Sequence, residues 1–237
     1  EDITNLTVVL YDGTSLPGTV LYSDTTADLA VVKINKLGLK PVRIQEGSIE
    51  SGRTAIAIGA PISLSMRNTV TKGIVSGTDV ALNDSYYKLL QTDTSINTGN
   101  SGRPLLNIKG ELIGINSVKF SGVGIDNMAF AIPADTVSYA INQFENYGKI
   151  NRADFGMTLE QSWEARIGIP TNKGITVKTS QNGVMQPGDV ITKVNGISIF
   201  SIPDFNEALK KTYNGSFADI TYNRGGEEQT VALNAIK

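Results

Sequence analysis

The chain has 237 residues, enough for two domains at the usual ~100–200 residues each. Its 21 Lys and Arg against 23 Asp and Glu leave a net charge of −2, which gives no electrostatic footing for wrapping nucleic acid or coating an acidic membrane. Cys and His are both absent, so disulfides, thiol nucleophiles, the commonest metal ligand and the commonest catalytic base are missing, and no cofactor or metal is implied.

From Leu6 to about Phe130 the pattern is that of an all-β barrel or sandwich: short runs rich in Val, Ile, Thr and Tyr, separated by turn residues. The predicted strands are Leu6–Leu10 before Asp12-Gly13, then Val20–Tyr22, Ala30–Ile34, Thr54–Ile58, Val70–Ser76, Tyr87–Thr92 and Leu112–Val118. A helix follows, with Val137, Ala140, Ile141 and Phe144 at helical spacing, Pro133 in the first turn and Gly148 just past the end. The domain boundary falls at about residue 150, giving domains of 1–150 and 151–237.

The second part reads as a small α+β domain. Val190–Val194, Asn195-Gly196 and Ile197–Ile199 form a tight hairpin, because Asn-Gly accepts the positive φ angles of a type I′ turn. Ser201 and Asp204 form a capping box ahead of a helix whose apolar face holds Phe205, Ala208 and Leu209. Phe217–Tyr222 and Gln229–Leu233 make a second hairpin around the Arg224–Glu227 turn. No apolar run approaches the ~18 residues of a membrane span, and the start at Glu1 shows neither a Met nor a signal-peptide pattern and reads as a cut edge.

The sharpest chemical signal is Ile96-Asn97-Thr98-Gly99-Asn100-Ser101-Gly102-Arg103-Pro104. A glycine-rich turn lets backbone amides converge beside an exposed hydroxyl, where they stabilise a developing oxyanion, although Gly-Asn-Ser-Gly taken alone is a common surface turn. Upstream, Asp28-Leu29-Ala30-Val31-Val32 places an aspartate before a strand, which by itself also fits a turn aspartate. Both segments resemble the HtrA/Do family of trypsin-like serine proteases. Arg53-Thr54-Ala55-Ile56-Ala57-Ile58-Gly59-Ala60-Pro61, Thr69–Ser76 and Met128–Pro133 are similar to further family segments in the same order.

The resemblance implies a trypsin-like double barrel with Ser101 as nucleophile, Asp28 as the acidic triad member and the Gly99 and Ser101 amides as oxyanion hole. It also implies Ile96 and Val118 around the specificity pocket, two positions that equally fit ordinary core residues. The family's histidine precedes the strand matching Leu6–Leu10, so the first barrel is expected to be incomplete and the chain inactive by itself, since loss of that base costs on the order of 10⁶ in turnover. A second departure is Arg103, where the family has glycine; a long side chain there would distort the oxyanion hole or be forced outward.

Residues 153–237 resemble the PDZ domain that follows the protease in this family, on Arg152-Ala153-Asp154-Phe155-Gly156-Met157, Gln186-Pro187-Gly188-Asp189-Val190-Ile191 and Val194-Asn195-Gly196. That implies a groove that adds a peptide as a strand, with the Phe155, Gly156 and Met157 amides taking a terminal carboxylate and Phe205 and Leu209 walling a pocket. The Phe205 and Leu209 positions also fit plain helix-core residues. The resemblance implies an endopeptidase of protein quality control acting on unfolded proteins or peptide C-termini, the alternative being a pseudoprotease that binds peptides. It further implies homo-oligomers, trimers in the family, and a place outside the cytoplasm, in the periplasm or at the cell surface, with an anchor ahead of Glu1 as one arrangement.

Overall fold

The computed structural model describes residues 5–60, 66–82, 85–97, 99–117, 127–213 and 215–236. The chain forms two compact units, Glu1–Val80 with Leu89–Ile150, and Ala81–Lys88 with Asn151–Lys237.

The first unit opens with an antiparallel sheet of β1 (Thr7–Val9), β2 (Ser15–Asp24) and β3 (Leu29–Ile34). The β1–β2 turn has Gly13 at φ 89°, and the Asp12 carboxylate accepts from the Thr14 amide at 2.9 Å. Among the described residues this sheet pairs with no other strand, and it leaves Val20, Leu21 and Val32 at 39–47% exposure, so it does not close into a barrel. The six strands that follow do close, in the order β4 (Thr54–Gly59), β5 (Thr69–Val80), β6 (Leu89–Thr92), β9 (Ala129–Pro133), β8 (Leu112–Ser117), β7 (Pro104–Leu106). Ala55 and Ala57 alternate inward along β4 and, with Val75, Leu90, Leu105, Ile113 and Ala131, fill the barrel.

Helix α1 (Ala134–Tyr147) packs on β8 and β9. Pro133 caps it at φ −62° and ψ 152°, one residue ahead of the expected first turn, and Gly148 ends it at φ 69° with its amide on the Phe144 carbonyl at 2.7 Å. Ile141 faces outward, while the Phe144 ring lies 6.1 Å from that of Tyr22, fixing the helix to β2.

In the second unit, β10 (Met157–Gln161), β11 (Ile175–Ser180), β12 (Val190–Val194), β14 (Phe217–Arg224) and β15 (Glu227–Asn234) pair in that order, and β13 (Ile197–Ser198) hangs from β12. The short α2 (Trp163–Arg166) follows β10, and α3 (Ile202–Thr212) begins at the capping box: the Ser201 hydroxyl accepts from the Asp204 amide while the Asp204 carboxylate accepts from the Ser201 amide at 2.9 Å. Asn195 and Gly196 have φ 47° and 79°, as the hairpin requires. Phe155, Ile175, Val177, Ile191, Phe205 and Leu209 belong to one buried core. The segment 81–88, which sequence places in the first domain, packs here through Lys88, whose ammonium pairs with Asp204 at 2.7 Å, and through the Tyr86 carbonyl, which accepts from Asn206 at 2.8 Å.

Candidate active site and peptide groove

The loop before β7 is fastened by two asparagines. The buried Asn100 side chain accepts from the Asn97 amide at 2.8 Å and donates to the Ser95 carbonyl at 2.9 Å. Gly59 of β4 supports the loop from below: a Cβ there would collide with the Asn100 Cβ and lie 3.1 Å from its Cα. Ile96 is half-buried at the base of the loop, and Val118 lies outside the described residues.

The other end of β8 ties this loop to Asp28. Asn116, buried, donates from its amide to the Arg103 carbonyl at 2.9 Å, accepts from the Gly102 amide at 2.7 Å and donates from its side chain to the Asn100 carbonyl at 3.3 Å. The next residue, Ser117, donates its hydroxyl to the Asp28 carboxylate at 2.6 Å. Two consecutive residues therefore hold the serine loop and the acidic side chain at one strand end. Asp28 sits in the left-handed region at φ 56°, an uncommon angle for a non-glycine residue, at the turn into β3. An exposed carboxylate so oriented can hold and charge-stabilise an imidazole. The Asn116 Oδ1 is buried with no hydrogen-bond partner among the described residues.

The amides expected to bind an oxyanion are turned inward. Gly99 donates to the Asn97 side chain at 2.9 Å, and Ser101 donates to the Asn97 carbonyl at 3.1 Å. In this conformation a tetrahedral intermediate would find both donors occupied, so the loop has to rearrange before it can stabilise one. The backbone at Arg103 does not require glycine, because its φ is not positive and its carbonyl accepts from the Asn116 amide. Its side chain is half-buried beside a 540 Å³ cavity shared with Tyr11, Arg67 and Pro104.

In the second unit β10 is an edge strand, paired on one side with β11 among the described residues, the arrangement to which an added strand can pair. Beside it lies a cavity of 360 Å³ with apolar walls from Phe155, Met157, Leu159, Ile202 and Phe205. Phe155 and Phe205 thus serve both core and cavity, whereas Leu209 is buried in the core and does not reach the lining. The Gly156 amide donates to the Asp154 carboxylate at 2.8 Å. Burial pushes the Asp204 carboxyl upward, but the Lys88 ammonium and the Ser201 hydroxyl together hold it below the ordinary 3.8. Among the described residues no group of three or more His, Cys, Asp or Glu is placed to hold a metal ion.

Sequence reasoning missed Asn97, Asn116, Ser117 and Asp154. Asn97 had a readable signal, an asparagine two residues before a glycine, the pattern of an Asx turn. Asn116 and Ser117 end a strand like many others, and only the closed barrel shows what they hold.

The closed six-stranded barrel and the smaller α+β unit define a trypsin-like domain joined to a PDZ-like domain. The trypsin-like peptidase domain family matches residues 2–115 and the PDZ domain family matches residues 165–235. The serine protease Do-like HtrB of Bacillus subtilis (strain 168) is 33% identical over 256 residues, covering 98% of this chain and 56% of its own length. A probable periplasmic serine endoprotease, DegP-like, of Pseudomonas savastanoi pv. phaseolicola is 33% identical over 243 residues, covering 97% of this chain and 50% of its own. Among solved structures, the HtrA-type protease AlgW with decapeptide aligns with TM-score 0.78 at 30% identity, over 99% of this chain and 75% of that one. The chain belongs to the HtrA/Do family of serine proteases, and it spans about half the length of these curated relatives.

Proposed function

We propose that this chain carries the serine and aspartate of a Ser–His–Asp endopeptidase that degrades unfolded proteins outside the cytoplasm, with its second unit engaging peptide segments. The observation that supports this reading most is the pair Asn116 and Ser117, which binds the Ser101 loop and the Asp28 carboxylate from adjacent positions. The mechanism needs an imidazole between Asp28 and Ser101 to take the hydroxyl proton and return it to the leaving amine. The 237 residues hold no histidine, so they should not hydrolyse peptides by themselves. The reading requires that residues preceding Glu1 supply the base. The periplasmic DegP-like relative supports the location, and the bound peptide of the AlgW structure supports peptide engagement. Family trimers carry over as a proposal that light scattering on the longer protein would check.

A second reading, a peptide-binding pseudoprotease, is favoured by the inward Gly99 and Ser101 amides. Cleavage of reduced, unfolded casein separates the two. A natural form extended upstream to include a histidine should cleave it, and Ser101→Ala should abolish that cleavage. No cleavage by a histidine-bearing form would leave the binding reading standing.

A further inference from the structure

The loop that leads into β10 is already occupied by a carboxylate of its own. The Asp154 side chain accepts from the Gly156 amide at 2.8 Å and lines the groove. That amide is one of the three that would otherwise meet the terminal carboxylate of an added peptide strand.

The loop backbone is fixed on its other sides, so the Gly156 amide stays beside Asp154 and a ligand reaches it only by displacing that exposed carboxylate. The Asp154 carbonyl accepts from the Ile236 amide at 2.6 Å, the Phe155 carbonyl from the Asn182 side chain at 2.8 Å and the Gly156 carbonyl from the Gln181 amide at 2.8 Å. Asn182 is itself braced, accepting from the Val184 and Met185 amides at 3.0 and 2.9 Å. Gly156 holds φ 63°, and the Ile236 side chain packs where its Cβ would be. Among the described residues the groove has two charged lining residues, Asp154 and Arg152, whose formal charges cancel. The Arg152 guanidinium is spread over the Tyr86 and Tyr87 rings, at 4.9 and 5.8 Å from their centroids.

We infer that this groove selects extended apolar segments from the interior of a polypeptide over free C-termini, because Asp154 takes one carboxylate-binding amide and places a like charge beside the other two. A terminal carboxylate would have to compete with the Asp154 carboxylate for one charge-assisted hydrogen bond and would meet a like charge beside the loop. An internal segment brings neither requirement, since it binds through the β10 edge and the apolar wall of Met157, Leu159, Ile202 and Phe205. Unfolded chains offer many such segments and one C-terminus each.

This inference rests on the peptide-groove reading and is tested apart from it. The probes are synthetic decapeptides ending in Val, Leu, Ile, Phe or Met, each made as the free acid and as the carboxamide, with binding to the 237-residue chain read by fluorescence anisotropy. The carboxamide should bind the wild type at least as tightly as the acid. Asp154→Ala, which frees the amide and removes the charge, should shift the ratio towards the acid by about tenfold or more. Asp154→Asn, which removes the charge and can keep the turn, should shift it by less. A wild-type preference for the acid of about tenfold, or a ratio unmoved by Asp154→Ala, overturns the inference while leaving the groove in place. Binding of neither form to any of the three proteins overturns the groove reading as well.

Discussion

Replacing Arg224 by Met should remove about 2–3 kcal/mol from the stability of the second unit. The Arg224 guanidinium donates from Nε to one Asp189 oxygen at 2.7 Å and from Nη2 to the other at 2.6 Å, and also reaches the Val184 carbonyl at 3.0 Å. Asp189 is 2% exposed, and its other contact is the Gln186 amide at 2.7 Å, so the substitution strands a buried carboxylate with one neutral donor. Removing one partner of a fully buried pair costs about 3–5 kcal/mol; the Arg224 side chain is 32% exposed here, so water reaches the site and the expected cost falls below that range, to about 2–3 kcal/mol.

The bond to Arg224 also holds the Asp189 carboxyl below its ordinary 3.8, so the folded unit binds fewer protons than the unfolded chain just below that pH. This contribution is complete above about pH 3.8 and is lost as pH falls through the folded value. Without Arg224 that loss disappears, so the gap between wild type and variant should narrow on acidification. Urea unfolding followed by Trp163, the chain's single tryptophan and a residue of this unit, gives both quantities. A change below about 0.5 kcal/mol at pH 7, or a gap that widens in acid, would refute the reasoning.

Gly59→Ala should drive a methyl into the Asn100 Cβ and cost the first unit about 1–3 kcal/mol by calorimetry, and an unchanged transition would contradict the contact. Ser117→Ala should leave stability within about 1 kcal/mol, because Asp28 is exposed, yet slow casein cleavage by the histidine-bearing form roughly fivefold as the carboxylate loses its tether. Ser201→Ala removes the α3 cap and should lower the urea midpoint of the second unit by an amount equivalent to about 1 kcal/mol, without moving that of the first.

The strands of the first unit were legible where β-branched runs ended at turn residues, as at Thr54–Gly59 and Leu29–Ile34. β7 was not, because Pro104–Leu106 is three residues long and is a strand only through its pairing with β4 and β8. The capping box and the Asn195-Gly196 turn were readable because their physics is local. The helix face was readable in part: helical spacing grouped Ile141 with Val137 and Ala140, but the helix packs on a narrower stripe and leaves Ile141 43% exposed. Ser101 and Asp28 were assigned through resemblance of whole segments, whereas Asn97 and Asp154 act through single side-chain bonds to amides two residues away, for which the sequence carries an Asx-turn pattern but no sign of what else those amides would bind. The packing of 81–88 with the second unit rests on Lys88, Tyr86 and their partners more than a hundred residues away, beyond the reach of any local pattern.

The proposed role of Ser101 is that of a nucleophile that a histidine would activate. A fluorophosphonate, which reacts with serines activated by an adjacent base, tests it most directly, with the site of attachment read by peptide mass spectrometry. A single adduct at Ser101 is expected in a form extended to include a histidine, and none on the 237-residue chain. Labelling at another serine, or no labelling of the extended form, would contradict it.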